Sequence, residues 1–228
     1  MNKRSNQAGF TIVELMIATA IFAVILLGAT TAVVQIGRLY YKGIISARTQ
    51  QAARSIMDEI SRPVQFAGKD ITSSQTSQVF STSNGQDITV NSFCIGDQRY
   101  SYSLNKQVFD GQQPGTYDNT TNRLRHGLWK DTTVPGDCTP CNLSEETPCG
   151  QGRELLDQYM RLKTLTITNN SPLYGIDLAV LYGDNDLIEF TQNEEGNMQG
   201  PIRCKGAITG AQWCALSQLS TDIVKRIQ

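Results

Sequence analysis

At 228 residues with a formal net charge of −1, the chain is too nearly neutral to present the basic stripe of a general nucleic-acid footprint. The length accommodates one membrane helix plus one globular domain of about 160 residues, enough to bury a hydrophobic core. With a single histidine and no phosphate-cradling glycine loop, the chain offers no catalytic set and calls for no cofactor.

The N-terminus opens on a short basic leader, with Lys3 and Arg4, that ends at Gly9. From Leu15 to Val34 no charged side chain occurs for about 20 residues, the length a helix needs to cross a hydrocarbon core. The apolar segment is too long for a secretory signal peptide and no small-residue cleavage site follows it, so the span is expected to stay in the mature protein. One acid, Glu14, stands near the start of the span. An ionisable group there costs roughly 2.5–3.5 kcal/mol at a helix centre, so it normally marks a functional contact. The plainer reading is a signal anchor with Glu14 snorkelling to the interface. The leader, the glycine and the acid occurring together argue against it.

Charge counting alone leaves the orientation near a tie, with Lys3 and Arg4 on one side and Arg38, Lys42 and Arg48 on the other. The six cysteines lie far down the chain, which favours an exported C-terminal domain.

Helical periodicity continues from Gln35 to Arg62 through Ile36, Leu39, Tyr40, Ile45, Ala52, Ile56, Met57 and Ile60, and Pro63 is read as the stop. From Phe10 this makes a helix of about 53 residues, roughly 80 Å long, too long for a compact soluble domain. Gly28, Gly37 and Gly43 mark either places of bending or close helix approach, or glycines tolerated in a packed helix. The expected divisions are a leader over 1–9, a membrane or filament-core helix over 10–34, an amphipathic continuation over 35–63, and a head over 64–228.

Lys69 to Asn84 is rich in Ser, Thr and Gln and reads as a surface loop. Alternation then predicts strands around Ile88–Val90, Phe93–Ile95 and Tyr100–Leu104, with Asn105-Lys106 turning the chain into Gln107–Phe109 as a hairpin. Gly111 to Asn122 reads as loop, and Asp131 to Gly152 as a cross-linked loop. Met160–Thr168 and Tyr174–Tyr182 are the clearest strands, and Asn169–Pro172 joins them into an antiparallel hairpin. Leu187–Phe190 adds a short strand. Leu216, Leu219, Ile223 and Ile227 fall at helical spacing and predict a short amphipathic helix, with a strand as the alternative. The sum is an α+β architecture, one long N-terminal helix against an antiparallel sheet.

Six cysteines in an exported domain most simply make disulfides, with 15 possible connectivities. Cys204 and Cys214 enclose a short loop and are paired first; of Cys138, Cys141 and Cys149, two pair locally and the third meets Cys94. Cys138-Thr139-Pro140-Cys141 also has the spacing of a redox pair, but no βαβ pattern surrounds it. It has the spacing of half a zinc site too, yet no second CxxC exists. Asp184, Asp186 and Glu189 are weak calcium candidates, against a polar turn as the favoured reading. Arg123, Arg125, His126, Trp129 and Lys130 form a small basic-aromatic cluster, read as a solvated face rather than a DNA-contacting one. Asn119-Thr120-Thr121 has the glycosylation pattern and is read as loop sequence.

The run Gly9-Phe10-Thr11-Ile12-Val13-Glu14-Leu15-Met16 resembles the class III signal of type IV prepilins and type II secretion pseudopilins. That resemblance covers about the first thirty residues. It implies cleavage by prepilin peptidase between Gly9 and Phe10 on the cytoplasmic side, and methylation of the new Phe10 amine. It implies that Glu14 meets the N-terminal amine of a neighbouring subunit. It also implies a pilin-like fold, an inner-membrane assembly platform as partner, a single-pass precursor with its N-terminus in the cytoplasm, and a later extracellular or periplasmic filament. Some pseudopilins bind calcium in a head-domain loop. Residues 53–68, ARSIMDEISRPVQFAG, resemble the end of the first helix in PilW- and GspJ-type minor pilins. The resulting expectation is a minor pilin near a filament tip that helps to start assembly. The alternatives are a major pilin, or a membrane-anchored adhesion or binding module.

Overall fold

The computed structural model describes residues 9–67, 69–73, 77–81, 87–106, 108–109, 125–134, 136–144, 148–157, 159–170, 173–189, 202–206 and 210–225. Two compact units divide at Tyr41 and Lys42. One helix, α1 (Ile12–Ala67), belongs to both.

In the first unit α1 is apolar all round and its side chains stand exposed, Leu15, Phe22, Val24 and Leu27 among them. A helix of this kind belongs inside a larger apolar body or a bilayer. Three of its threonines bond back onto the helix. The Thr19 hydroxyl donates to the Met16 carbonyl at 3.0 Å, Thr30 to Leu26 at 2.9 Å and Thr31 to Gly28 at 2.8 Å. Such back-bonding frees these three hydroxyls from any need of water.

In the second unit α1 buries Ile45, Thr49, Ala53, Ile56, Met57, Ile60 and Val64, a stripe at spacings of three and four. The helix does not stop at Pro63 but runs on to Ala67. Proline lacks an N–H, so it leaves the carbonyl four residues back without its helical donor. That carbonyl is Glu59's, and the buried Tyr100 hydroxyl donates to it at 3.4 Å. Tertiary packing thus repairs the break that the sequence pattern predicted.

The head has two main sheets. The first contains β1 (Ile71–Ser73), β2 (Gln78–Ser81), β3 (Asp87–Ile95), β4 (Gln98–Tyr102), β7 (Leu128–Thr132) and β8 (Gly152–Glu154), in the order β1-β3-β4-β7-β8 with β2 also on β3, all antiparallel. The expected loop over 69–84 therefore holds two strands. Their Ser/Thr/Gln composition suits edge strands with one wet face, while Ile71 is buried opposite Ile95. The predicted hairpin after Tyr102 does not form. β5 (Val108–Phe109) pairs with β6 (Arg125–His126), and β4 pairs with β7 instead. Asn105, at φ 62°, donates its amide to the Leu162 carbonyl at 2.7 Å, which leads the chain away from β4.

Alternation gives this sheet two covered faces. Phe93, Ile95, Tyr100 and Leu128 join the α1 stripe in one core, where the Phe93 and Tyr100 rings stack with centroids 4.7 Å apart. Ile88, Val90 and Trp129 point the other way and pack with Leu143 of the loop beyond β7. Gly152 is needed for β8 to lie on β7, since a Cβ there would fall 2.5 Å from the Lys130 carbonyl oxygen.

The second sheet runs β13 (Ala215–Val224), β10 (Leu173–Tyr182), β9 (Met160–Asn170). The β9–β10 hairpin has the expected antiparallel pairing. A bulge at Lys163 shifts the register beside Ala179 and Val180, so Leu162 and Leu165 both reach the core despite their spacing of three. The C-terminal segment is a strand, not the predicted helix. It gains ten cross-strand partners on β10, from Leu173↔Val224 to Tyr182↔Ala215, more than an isolated short helix retains in water. A small satellite core of Leu181, Leu187, Ile188, Ile202 and Cys214 closes the end of this sheet. Beside it lie β11 (Ile188–Glu189) and β12 (Arg203–Cys204).

Glu59 ties α1 to the first sheet. Its carboxylate accepts from Lys130 and forms an ion pair with Arg153 at 3.1 Å. The Lys130 hydrogen bond, ahead of the attraction of both cations, holds its carboxyl below the ordinary value. A depressed carboxyl contributes stability above its unfolded pKa and loses it as pH falls, because the unfolded chain takes up the proton first. The melting temperature of the head is therefore expected to fall from pH 6 to pH 3. Glu59→Gln should flatten part of that slope, as read by circular dichroism; an unchanged slope would refute this role.

Candidate functional site

The segment Gly9–Glu14 is built around the start of α1. Thr11 precedes the first helical residue, and Glu14 is the third residue of the helix. The Glu14 amide donates to the Thr11 hydroxyl oxygen at 3.3 Å. In return the Glu14 carboxylate accepts from the Thr11 amide at 3.0 Å and from its hydroxyl at 2.8 Å. This reciprocal pair is a capping box, and it satisfies two of the helix's orphan N–H groups. A carboxylate in the first turn also faces the positive end of the helix dipole. Thr-x-x-Glu ahead of an apolar run is a readable signature, so Thr11 was available to sequence reasoning as the cap partner and was not singled out there.

Phe10 is 79% exposed immediately before the cap. A Cβ added at Gly9 would meet no atom within 4 Å. Among the described residues, none crowds position 9.

The head places the other candidates as follows. Cys94 is bonded to Cys138, Cys141 to Cys149 and Cys204 to Cys214. The CxxC pair is therefore split between two bonds and is not itself a dithiol. The first bond pins the loop after β7 onto β3. Arg99 adds a hydrogen bond to the Thr139 carbonyl at 3.1 Å, and the Cys141 amide donates to Ser101 Oγ at 3.0 Å. Among the described residues, Asp131, Cys141 and Cys149 have ligand atoms within 4.8 Å of one another. That trio is chemically committed, the thiols to a disulfide and Asp131 to an ion pair with Arg99.

Asp184 and Glu189 flank a 3-10 turn at Asn185–Leu187, and Asp186 is its middle residue. Glu189 pairs with Arg203 at 2.7 Å, and the Asp186 carbonyl accepts from Lys205 at 2.6 Å. The Arg203 hydrogen bond keeps the Glu189 carboxyl below its ordinary value. Arg203 thus neutralises Glu189, and Lys205 holds the backbone of the turn. Of the basic-aromatic cluster, the two members whose side chains are described, Trp129 and Lys130, do not lie on a solvated face. Trp129 is 6% exposed, and Lys130 bonds Glu59 and lies over the Tyr100 ring at 5.6 Å. Arg123, the side chains of Arg125 and His126, and the Asn119 sequon lie outside the described residues.

Residues 4–30 match the family model described as the prokaryotic N-terminal methylation motif. The chain is type IV pilin-like. The match spans most of the leader, the capping box and most of the apolar stretch. No curated protein and no solved structure matches the chain. The pilin-like layout extends to the head all the same, as a long N-terminal helix packed on antiparallel sheets.

Proposed function

We propose that this chain is a minor pilin or pseudopilin, cleaved between Gly9 and Phe10, methylated on the Phe10 amine, and drawn from the membrane into a filament through its apolar helix. The observation that carries this reading is the N-terminal constellation. An exposed Phe10 and an unconstrained Gly9 precede a capped Glu14, and the helix beyond is apolar on every side. Among the described residues none crowds Gly9, which supports assigning its use to an external reader, the peptidase. The bare apolar surface is covered first by lipid and then by the helices of other subunits.

Glu14 is assigned to the amine of a neighbouring subunit. A carboxylate and an amine buried together among apolar helices cost far less than either alone. The cysteine-rich head, the long second half of α1 and the PilW/GspJ-like residues 53–68 support a low-abundance subunit near the tip, where it starts assembly. The leader is assigned to the cytoplasm and the head to the opposite side.

The test is the mass of the N-terminal peptide from cells with and without prepilin peptidase. The expected result is a chain beginning at methylated Phe10, seen only when the peptidase is present. An intact leader in both strains would overturn the filament reading and leave a membrane-anchored binding module.

A further inference from the structure

We propose that β13 is the docking edge for a second copy of this head, the two β13 strands pairing antiparallel about a two-fold axis at Ser220.

β13 lies at one end of the order β13-β10-β9, and it pairs with β10 in unbroken register from Ala215 to Val224. Every second residue of an edge strand turns its N–H and C=O away from the neighbour it has. Among the described residues, no backbone group of 215–224 bonds to any segment other than β10. Natural edge strands are blunted by proline, lysine, a bulge or shortness. β13 has ten residues, with no proline, no lysine and no bulge.

Its side chains select the occupant. Leu216, Gln218, Ser220, Asp222 and Val224 form the exposed face of the strand. Folding that series about Ser220 sets Leu216 opposite Val224 at both ends, Gln218 opposite Asp222, and Ser220 opposite its own copy. Leu216 and Val224 are 42% and 62% exposed, and in this register they cover one another. Each carboxylate meets an amide that donates to it. On the other face Leu219 stands opposite Thr221, both half-buried. A slip of one residue would turn one copy's side chains to the wrong face. A slip of two, with Leu219 or Thr221 as centre, sets Asp222 against Leu216 or Val224 against Gln218. One register thus matches apolar with apolar and donor with acceptor, the self-complementarity that a two-fold contact requires.

The axis stands normal to the sheet. It therefore reverses the second copy's stretch of α1 from Ala53 to Val64, which packs on the inner face. Subunits whose helices point the same way cannot form this contact. On the filament reading above, it joins heads that meet from apposed filaments rather than neighbours within one.

The test is site-directed cross-linking of the full chain in detergent micelles, where both orientations are open. All six native cysteines are paired, so one added cysteine is the only thiol. Ser220→Cys is expected to give a covalent dimer on mild oxidation, read on a non-reducing gel. Gln218→Cys alone and Asp222→Cys alone should each remain monomeric. Four residues of offset put like positions roughly 13 Å apart, and a disulfide needs Cα atoms within about 7 Å. Mixing these two variants should restore the dimer. Ser220→Lys sets like charges face to face and should lower the association constant about two- to fivefold, as read by sedimentation. Equal dimer yields from all three cysteine variants would show chance collision within a micelle and overturn the proposal. So would a Ser220→Cys chain that is folded by circular dichroism yet stays monomeric, or an association constant unmoved by Ser220→Lys. These cross-links do not depend on the leader, and the N-terminal mass does not depend on β13, so the two readings fall separately.

Discussion

Replacing Asp131 by alanine is expected to destabilise the head by about 3–5 kcal/mol, because it strands a buried guanidinium. Asp131 is 3% and Arg99 6% exposed. They face each other across β4 and β7, where register pairs them directly. Arg99 Nε donates to Asp131 Oδ1 at 3.1 Å, and a second nitrogen donates to Oδ2, a two-pronged contact. The remaining arm holds the Thr139 carbonyl at 3.1 Å. The pair therefore sits beneath the cross-linked loop and positions it. The interior that makes the attraction strong also makes a lone charge expensive.

The companion variant separates the charge from the space it fills. Arg99→Met with Asp131→Leu removes both charges and keeps most of the volume. It is expected to recover a large part of the loss, since apolar replacements of buried ion pairs are often neutral or better. Urea denaturation of the full chain in detergent micelles, with the disulfides intact and followed by tryptophan fluorescence, reads both values. A single-variant loss below about 1 kcal/mol would show that water reaches this pair.

What was legible in the sequence tracks what local pattern can encode. The first half of α1 declared itself through an uncharged stretch of about 20 residues. The β9–β10 hairpin did so through Ile176, Leu178 and Val180, whose alternation matches the buried face. The C-terminal strand was misread because Leu216, Leu219 and Ile223 sit at spacings of three and four. In the strand only Leu219 and Ile223 of these point inward, beside Ser217, while Leu216 is 42% exposed. Polar Ser217 hid the period of two. β1 and β2 were lost for a related reason, as edge strands with wet faces carry little apolar signal. The extension of α1 past Pro63 depends on Tyr100, a residue distant in sequence, and no local pattern contains it. The Arg99–Asp131 pair is of the same kind. At the N-terminus the opposite holds. Thr11 and Glu14 are three residues apart, so the whole contact is written in one turn of helix.

That compactness makes the role of Glu14 separable by mutation. Glu14→Ala is expected to lower incorporation into filaments by at least about a hundredfold, since an amine left unpaired among apolar helices forfeits about 3–5 kcal/mol. The competing explanation is loss of the cap, because Glu14 bonds both the amide and the hydroxyl of Thr11. Thr11→Ala removes the hydroxyl and leaves the carboxylate, at a cost of about 0.5–2 kcal/mol in helix stability. If capping were the function, the two variants would fail alike. If Glu14 binds a neighbour's amine, Thr11→Ala assembles within about thirtyfold of wild type and Glu14→Ala falls well below it. Immunoblots of sheared filaments against total cellular subunit supply the ratio. Denaturation of each variant should show an unaltered head, because the head's apolar cluster begins at Ala53 and contains neither residue. Equal loss in both variants would assign Glu14 to its own helix. A larger loss in Glu14→Ala means that the carboxylate which caps the free subunit is released from Thr11 when a neighbour's amine arrives. The cap then serves as a placeholder that keeps an ionised group satisfied at the membrane surface until assembly supplies its counter-charge.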